Sequence, residues 1–264
     1  MTVPAQIGTP WRRIAYLGPA GTYTEEALLA DESLRRAELL AFPSIEHAVA
    51  AADACEVDAA FVPIENTSEG TVRVTLELLL SSGLLVQAER LLAIEIHLLG
   101  LPGSALAQIE KVVSFGHALA QCRRYLSRVL PEAAIAEVSS TAEAARLVSA
   151  EGRADVAALA GRRAASIYGL STLAAAVQDR SAETRFVLVA RGVMPAPTGR
   201  DVTSVACVPN GWRGRSFVFD LPGHVADRRV AAVLDGLRAS LDEMRLVGSF
   251  PAARKDLSAR VWAW

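Results

Sequence analysis

The side chains able to do chemistry in this chain gather in short polar clusters: Gly18–Thr22, Glu65–Gly70, Ser114–His117 and Ser140–Thr141. A further group, Thr184, Arg185 and Phe186, stands just ahead of the apolar run "VLVA". The clusters supply hydroxyls, a carboxamide and glycine turns next to candidate helix starts, a combination that suits an anionic ligand. Spacing alone does not decide the matter. Asn, Thr and Ser are also common at strand exits and N-caps for local backbone reasons. Gly18 and Gly21 would equally serve only a turn, and Arg185 equally a strand cap or a surface pair. His117 stands alone, and His47, His97 and His224 have no sequence partners that suggest a metal. No pair of carboxylates has diagnostic spacing.

The elements around these clusters repeat a simple unit. Ile14–Leu17 is apolar, the turn "GPAG" follows, and Thr22 with Glu25 forms a capping-box pattern opening a helix. Ala59–Ile64 reads as a buried strand, and Val72, Leu76, Leu79 and Leu80 after it lie at helical spacing. Lys111–Val113 leads through Ser114 into a helix over "ALAQCRRYLSRVL". Ser140 with Glu143 is a second capping box, Asp155–Leu159 a strand, and "AGRRAASIYGL" a helix closed by Gly169. Strands alternating with helices predict a mostly parallel sheet covered on both sides, with ligands at the strands' carboxyl ends.

"VARGVMPAPTGRD", Val189 to Asp201, reads as a linker. Beyond it Thr203–Val208 and Arg215–Asp220 are candidate strands and "RLVGSF" a last one. Between them "ADRRVAAVLDGLRASLDEM" predicts an amphipathic helix with Val230, Val233, Leu234, Leu237 and Leu241 on one face. The ending "ARVWAW" carries two tryptophans, expected to pack on something such as a neighbouring subunit.

Bulk composition narrows the classes. The 264 residues, 52% of them hydrophobic, suffice for one large domain or two modest ones. A net charge of −2 gives no case for nucleic acid or a membrane surface. Cys55, Cys122 and Cys207 are single and scattered, which argues against a disulfide framework and favours a reducing cytoplasm. The first residues hold no apolar core long enough for a signal peptide. Glu89, Arg90 and Glu95 interrupt "LLLSSGLLVQAERLLAIEIHLLGL", so no membrane span is expected.

Taken in order, "YLGPAGTYTEEAL", "VPIENTSEGTV", "SFGHALAQC", "SSTAEAA", "AALAGRRAASIYGL" and "TRFVLVAR" resemble the prephenate dehydratase family, over about Ile14 to Arg191. The resemblance implies an α/β fold: a two-lobed catalytic domain similar to type II periplasmic binding proteins, followed by a small truncated α+β unit similar to an ACT domain. It implies a catalytic domain over 12–192, with lobe one about 12–92 and 178–192 and lobe two about 93–177. The chain would cross between lobes near Leu91–Leu99 and near Leu173–Asp179. The ACT-like unit would cover 202–252, with a tail over 253–264.

The implied reaction expels carbon dioxide and a ring hydroxyl from prephenate, leaving phenylpyruvate, with no cofactor and no metal. Thr184 would be catalytic, as proton donor to the departing hydroxyl. The implied binding set is Thr22, Glu65, Asn66, Thr67, Ser114, His117, Ser140, Thr141, Arg185 and Phe186, with Arg185 either touching a carboxylate or bracing the cleft. The partners implied are prephenate and a second or further copies of the chain, as homodimer or homotetramer.

Two departures stand out. The family's Ser-His-Pro-Gln is Ser114-Phe115-Gly116-His117 here, and His117 is expected to reach the ligand. In the C-terminal unit "TSVACV" and "RSFVFDLPGHVADRRVAAVLDGLRASLDEMRLVGSFP" match the flanks of an ACT domain, but only "PNGWRG" joins them. The segments that bind phenylalanine in the family are missing, so no feedback by phenylalanine is expected. Two enzyme alternatives are a prephenate decarboxylase and a dehydratase of a substituted prephenate. A two-lobed small-molecule binding module is the non-enzyme alternative.

Overall fold

The structure, a computed structural model, describes residues 11–192, 194–209, 217–238, 241–253 and 260–263. In chain order the first lobe opens with β1 (Arg13–Leu17), α1 (Tyr23–Ala30), β2 (Glu38–Phe42), α2 (Ile45–Asp53), β3 (Ala59–Asn66), β4 (Gly70–Thr71), α3 (Arg73–Ser81) and β5 (Leu85–Ile94). The second lobe holds β6 (His97–Gly100), β7 (Lys111–Ser114), α4 (Gly116–Gln121), α5 (Arg123–Val129), β8 (Ala134–Glu137), α6 (Thr141–Glu151), β9 (Val156–Ala160), α7 (Arg162–Tyr168) and β10 (Ser171–Ala174). The chain then returns as β11 (Ala182–Ala190). The C-terminal unit comprises β12 (Asp201–Pro209), β13 (Phe217–Pro222), α8 (Arg228–Arg238), β14 (Leu241–Pro251) and β15 (Arg260–Ala263).

These strands form two α/β sheets. The larger runs β15-β13-β12-β14-β5-β11-β3-β1-β2, with β4 beside β3, and the smaller runs β10-β6-β9-β7-β8. The crossings between them lie side by side, because β5 and β11 are antiparallel neighbours from Ala182 opposite Ile94 to Ala190 opposite Leu85. Between the sheets the two crossing segments are also bonded, Val177 N–H to the Ile96 carbonyl at 2.8 Å and Ile96 N–H to Gln178 Oε1 at 3.0 Å.

Capping chemistry works as the sequence predicts. Ser140 Oγ accepts from Glu143 N–H at 3.0 Å, and Gly169 closes α7 at φ 65, a backbone conformation that glycine adopts without a side-chain clash. The apolar run of β3 is buried on both faces, as an interior strand requires, and Phe61 stacks on Phe186 with ring centroids 5.5 Å apart.

Three sequence expectations differ from the structure. The sheets are mixed rather than mostly parallel: β1 pairs parallel with β2 and β3, whereas β11 is antiparallel to both of its neighbours. The reason is the insertion of one lobe into the other, which brings the chain back beside the strand it left. The helix expected from Ala118 to Leu130 is two helices broken at Cys122, whose φ −108 and ψ 12 are not helical. The C-terminal helix is described over Arg228–Arg238. Val230 and Leu234 are buried against Val205, Val233 is exposed, and Leu241 opens a strand instead.

The C-terminal unit continues the large sheet. Gly248 of β14 lies opposite Val86 of β5, and a Cβ on Gly248 would fall 2.6 Å from the Val86 carbonyl oxygen, so only glycine permits this approach. Arg245 donates to the Leu80 and Ser82 carbonyls, two acceptors left open at the end of α3. Of the tail, Arg260–Ala263 form the edge strand β15, which pairs with β13. The joining segment Asn210–Gly214, the residues before Trp11 and Trp264 lie outside the described residues, as does the Trp262 side chain.

Candidate active site

Side chains alternate between the two faces of a strand, so Thr184 and Arg185 at the start of β11 point to opposite faces. Thr184 lies opposite Asn66 of β3 and Leu92 of β5. Asn66 Nδ2 donates to Thr184 Oγ1 at 2.8 Å. The other end of the amide, Oδ1, accepts from the backbone N–H groups of Ser68 at 2.8 Å and Glu69 at 3.2 Å. That turn fixes which end of Asn66 faces Thr184. Thr184 therefore receives a hydrogen bond on its oxygen and keeps its own proton available to donate. Thr67 locks the same corner from outside: its N–H donates to the Glu183 carbonyl at 2.9 Å, and its Oγ1 accepts from Glu183 N–H at 2.9 Å.

The turn after Asn66 reaches the other lobe. Glu69 pairs with His117 of α4 and accepts from Gln121 Nε2 at 3.1 Å. The Phe115 ring leans on the His117 ring at a centroid distance of 5.1 Å. His117 is thus turned toward Glu69, with its side chain 59% exposed.

A second bridge between the lobes lies at the glycine turn. Gly21 has φ +93, and a Cβ there would meet Ala164 of α7 at 3.1 Å. Tyr168 Oη donates to the Ala20 carbonyl at 2.8 Å, Arg163 pairs with Glu25 at 3.2 Å, and Tyr23 Oη donates to the Glu95 carbonyl at 2.9 Å. Burial pushes the Tyr23 phenol well up, so it stays a donor. Burial, and Glu25 beside it, push Tyr16 up to about 12.

Several candidate residues have structural contacts of their own. Thr22 is nearly buried; its hydroxyl donates to the Leu17 carbonyl at 3.0 Å and accepts from Glu25 N–H at 3.4 Å. Ser114 is fully buried and donates to the Leu159 carbonyl at 2.6 Å, so it ties β7 to β9. Ser140 is the N-cap of α6, and Thr141 the half-buried first residue of that helix. Phe186 belongs to the core against Phe61.

Arg185 is buried in an ion cluster on the other face of the strand. It is 3% exposed and pairs with Glu89 at 2.6 Å, Asp220 at 2.8 Å and Glu65 at 3.9 Å. Burial opposes the Arg185 charge, but Asp220 and Glu89 outweigh it. Burial pushes the Asp220 carboxyl up, and Arg185 offsets only part of that. Gln121, Glu89 and Asp220 were not among the sequence candidates, and Glu69 was there only as a member of the cluster Glu65–Gly70. For Glu89 a signal existed: a charge inside an apolar run, which is seldom buried without a partner.

The match of this chain to known proteins covers the same pieces. The family model described as Prephenate dehydratase aligns with residues 14–193, from β1 through Thr184 and β11. This chain belongs to the prephenate dehydratase family. It is 37% identical to the prephenate dehydratase of Amycolatopsis methanolica, across 91% of this chain and 89% of the relative. It is 34% identical to the bifunctional chorismate mutase/prephenate dehydratase of Neisseria gonorrhoeae, across 91% and 74%. The prephenate dehydratase of Arthrobacter aurescens, solved in complex with L-Phe, superposes with a TM-score of 0.83 at 34% identity, covering 93% of this chain and 92% of that one. Prephenate dehydratases are hydro-lyases, and the hydroxyl beside Asn66 stands on the strand that carries the family's Thr-Arg-Phe. Among the described residues no helix is long and apolar enough to cross a membrane.

Proposed function

We propose that this chain converts prephenate to phenylpyruvate, water and carbon dioxide, with the Thr184 hydroxyl as the proton donor. Aromatisation of the ring supplies the driving force. The ring C–O bond and the bond to the ring carboxylate both break, carbon dioxide leaves, and the departing oxygen takes the Thr184 proton to leave as water. A threonine hydroxyl is a weak acid, so negative charge building on Oγ1 must be met by a fixed donor. Asn66 Nδ2, 2.8 Å away and held by its own turn, is that donor, and this contact carries the proposal. Solvent returns the proton afterwards. Asn66 and Thr67, with the α1 and α6 N-termini, would favour the substrate's two carboxylates.

Incubation of the purified chain with prephenate, with spectroscopic identification of the product, tests the reading. Thr184→Ala should lower kcat by roughly a hundredfold or more, the contribution of a positioned proton donor, while Thr184→Ser retains much of it. A non-aromatic product, or Thr184→Ala within threefold of the parent, would discard it.

The same reading holds that phenylalanine does not regulate this enzyme. The match to the Amycolatopsis relative runs over 275 residues, more than the 264 of the whole chain, so that relative has segments without a counterpart here. We place missing segments at "PNGWRG", between the first two strands of the ACT-like unit, where the effector site would lie; an effector without differential affinity shifts no equilibrium. Activity should stay flat as phenylalanine is titrated, and strong inhibition would refute the point. A cytoplasmic homodimer or homotetramer completes the reading; sedimentation measures the assembly state.

A further inference from the structure

We propose that Asp220 of the C-terminal unit is a positioning residue for Thr184, acting through Arg185, so that this unit is a working part of the active site. The inference rests on Thr184 being the proton donor. Its basis is the ion cluster on the far face of the sheet. Arg185, the residue next to Thr184, is held between Glu89 of β5 and Asp220 of β13 at 2.6 and 2.8 Å. Asp220 is itself oriented by the Ser204 hydroxyl of β12, and Glu89 by Ala253 N–H at 2.8 Å. The C-terminal unit thus grips the pair from two directions.

The grip falls beside an irregularity in the sheet. Against β3 the ladder runs Thr184 to Asn66, Arg185 to Glu65 and then Phe186 to Pro63, a register shift immediately after Arg185. The extra residue, Ile64, lies on β3, while the ladder to β5 stays regular from Ala182 to Leu188. The β5 ladder sets which way Thr184 faces, and the ion cluster adds a side-chain anchor at the residue next to it. Small displacements of a reacting group are costly in rate. Loss of one partner in such a buried cluster leaves the others poorly compensated, which moves them.

The test is a double-mutant cycle in the full chain with Asp220→Asn, Thr184→Ala and the combination, read as kcat and KM for prephenate alongside the unfolding midpoint. In the Thr184 background Asp220→Asn should lower kcat roughly ten- to a hundredfold, with KM little changed. In the Thr184→Ala background it should leave the residual kcat within about twofold, because the effect has lost its route. A parental kcat in Asp220→Asn, or an equal proportional fall in both backgrounds, overturns the proposal. A parental kcat in Thr184→Ala instead overturns the proton-donor reading itself. If Asp220→Asn is insoluble, Ser204→Ala removes only the hydroxyl that orients Asp220. It should give a smaller fall in kcat that vanishes with Thr184→Ala, and an equal fall in both backgrounds again overturns the proposal.

Discussion

Asn66→Asp separates the polarity of the Thr184 contact from its shape. The two side chains are nearly isosteric. An aspartate oxygen still accepts from Ser68 and Glu69 N–H, so the turn holding residue 66 is preserved. The other oxygen, however, replaces the Nδ2 donor that now lies 2.8 Å from Thr184 Oγ1. With a carboxylate there, the Thr184 proton turns inward and donates to it. A hydrogen bond to a charged group contributes roughly 1.5–3 kcal/mol. That bond must break before Thr184 can serve the substrate, and about 1.36 kcal/mol corresponds to a tenfold change in rate. The expected fall in kcat is therefore roughly ten- to 150-fold. Steady-state kinetics with prephenate, checked against circular dichroism and the thermal midpoint, give the answer. A folded Asn66→Asp enzyme with kcat within twofold of the parent would show that the proton of Thr184 is not what the reaction uses.

Two further outcomes follow from contacts away from that bond. Glu69→Ala removes the partner of His117 and Gln121 across the lobes; because His117 is exposed, the loss of about 0.5–1 kcal/mol should appear as a roughly twofold to fivefold rise in KM with kcat preserved. Burial pushes the Asp31 carboxyl up, but Ser33 and Arg90 outweigh it and hold the group below its ordinary value. Its folded pKa being lowered, its stabilisation is complete above the ordinary carboxylate range and is lost as pH falls through the lowered value. Asp31→Asn should then flatten the acid limb of thermal midpoint against pH.

Much of this was legible in the chain because the relevant physics is local. The capping boxes at Thr22 and Ser140 state where helices begin, Gly169 where one ends, and the apolar run at Ala59–Ile64 that a strand lies between neighbours. The clustering of Asn66, Thr67 and Thr184 as polar residues at strand ends was readable too, though not their contact. β5 was not legible as a strand: Glu89 and Arg90 break its apolar pattern. Glu89 and Arg90 are accommodated only because Arg185 and Asp31 come from elsewhere to meet them.

What the amino-acid sequence determined alone was the set of local elements and, through the order of its motifs, the family. What only the tertiary structure decided was which polar groups face each other. Asn66 and Thr184 are 118 positions apart, and Arg185 and Asp220 belong to different units of the chain. Their meeting depends on strand register, and neighbouring residues on one strand face opposite ways. One register therefore sends Thr184 toward Asn66 and Arg185 into the buried ion cluster, a choice that no local pattern encodes.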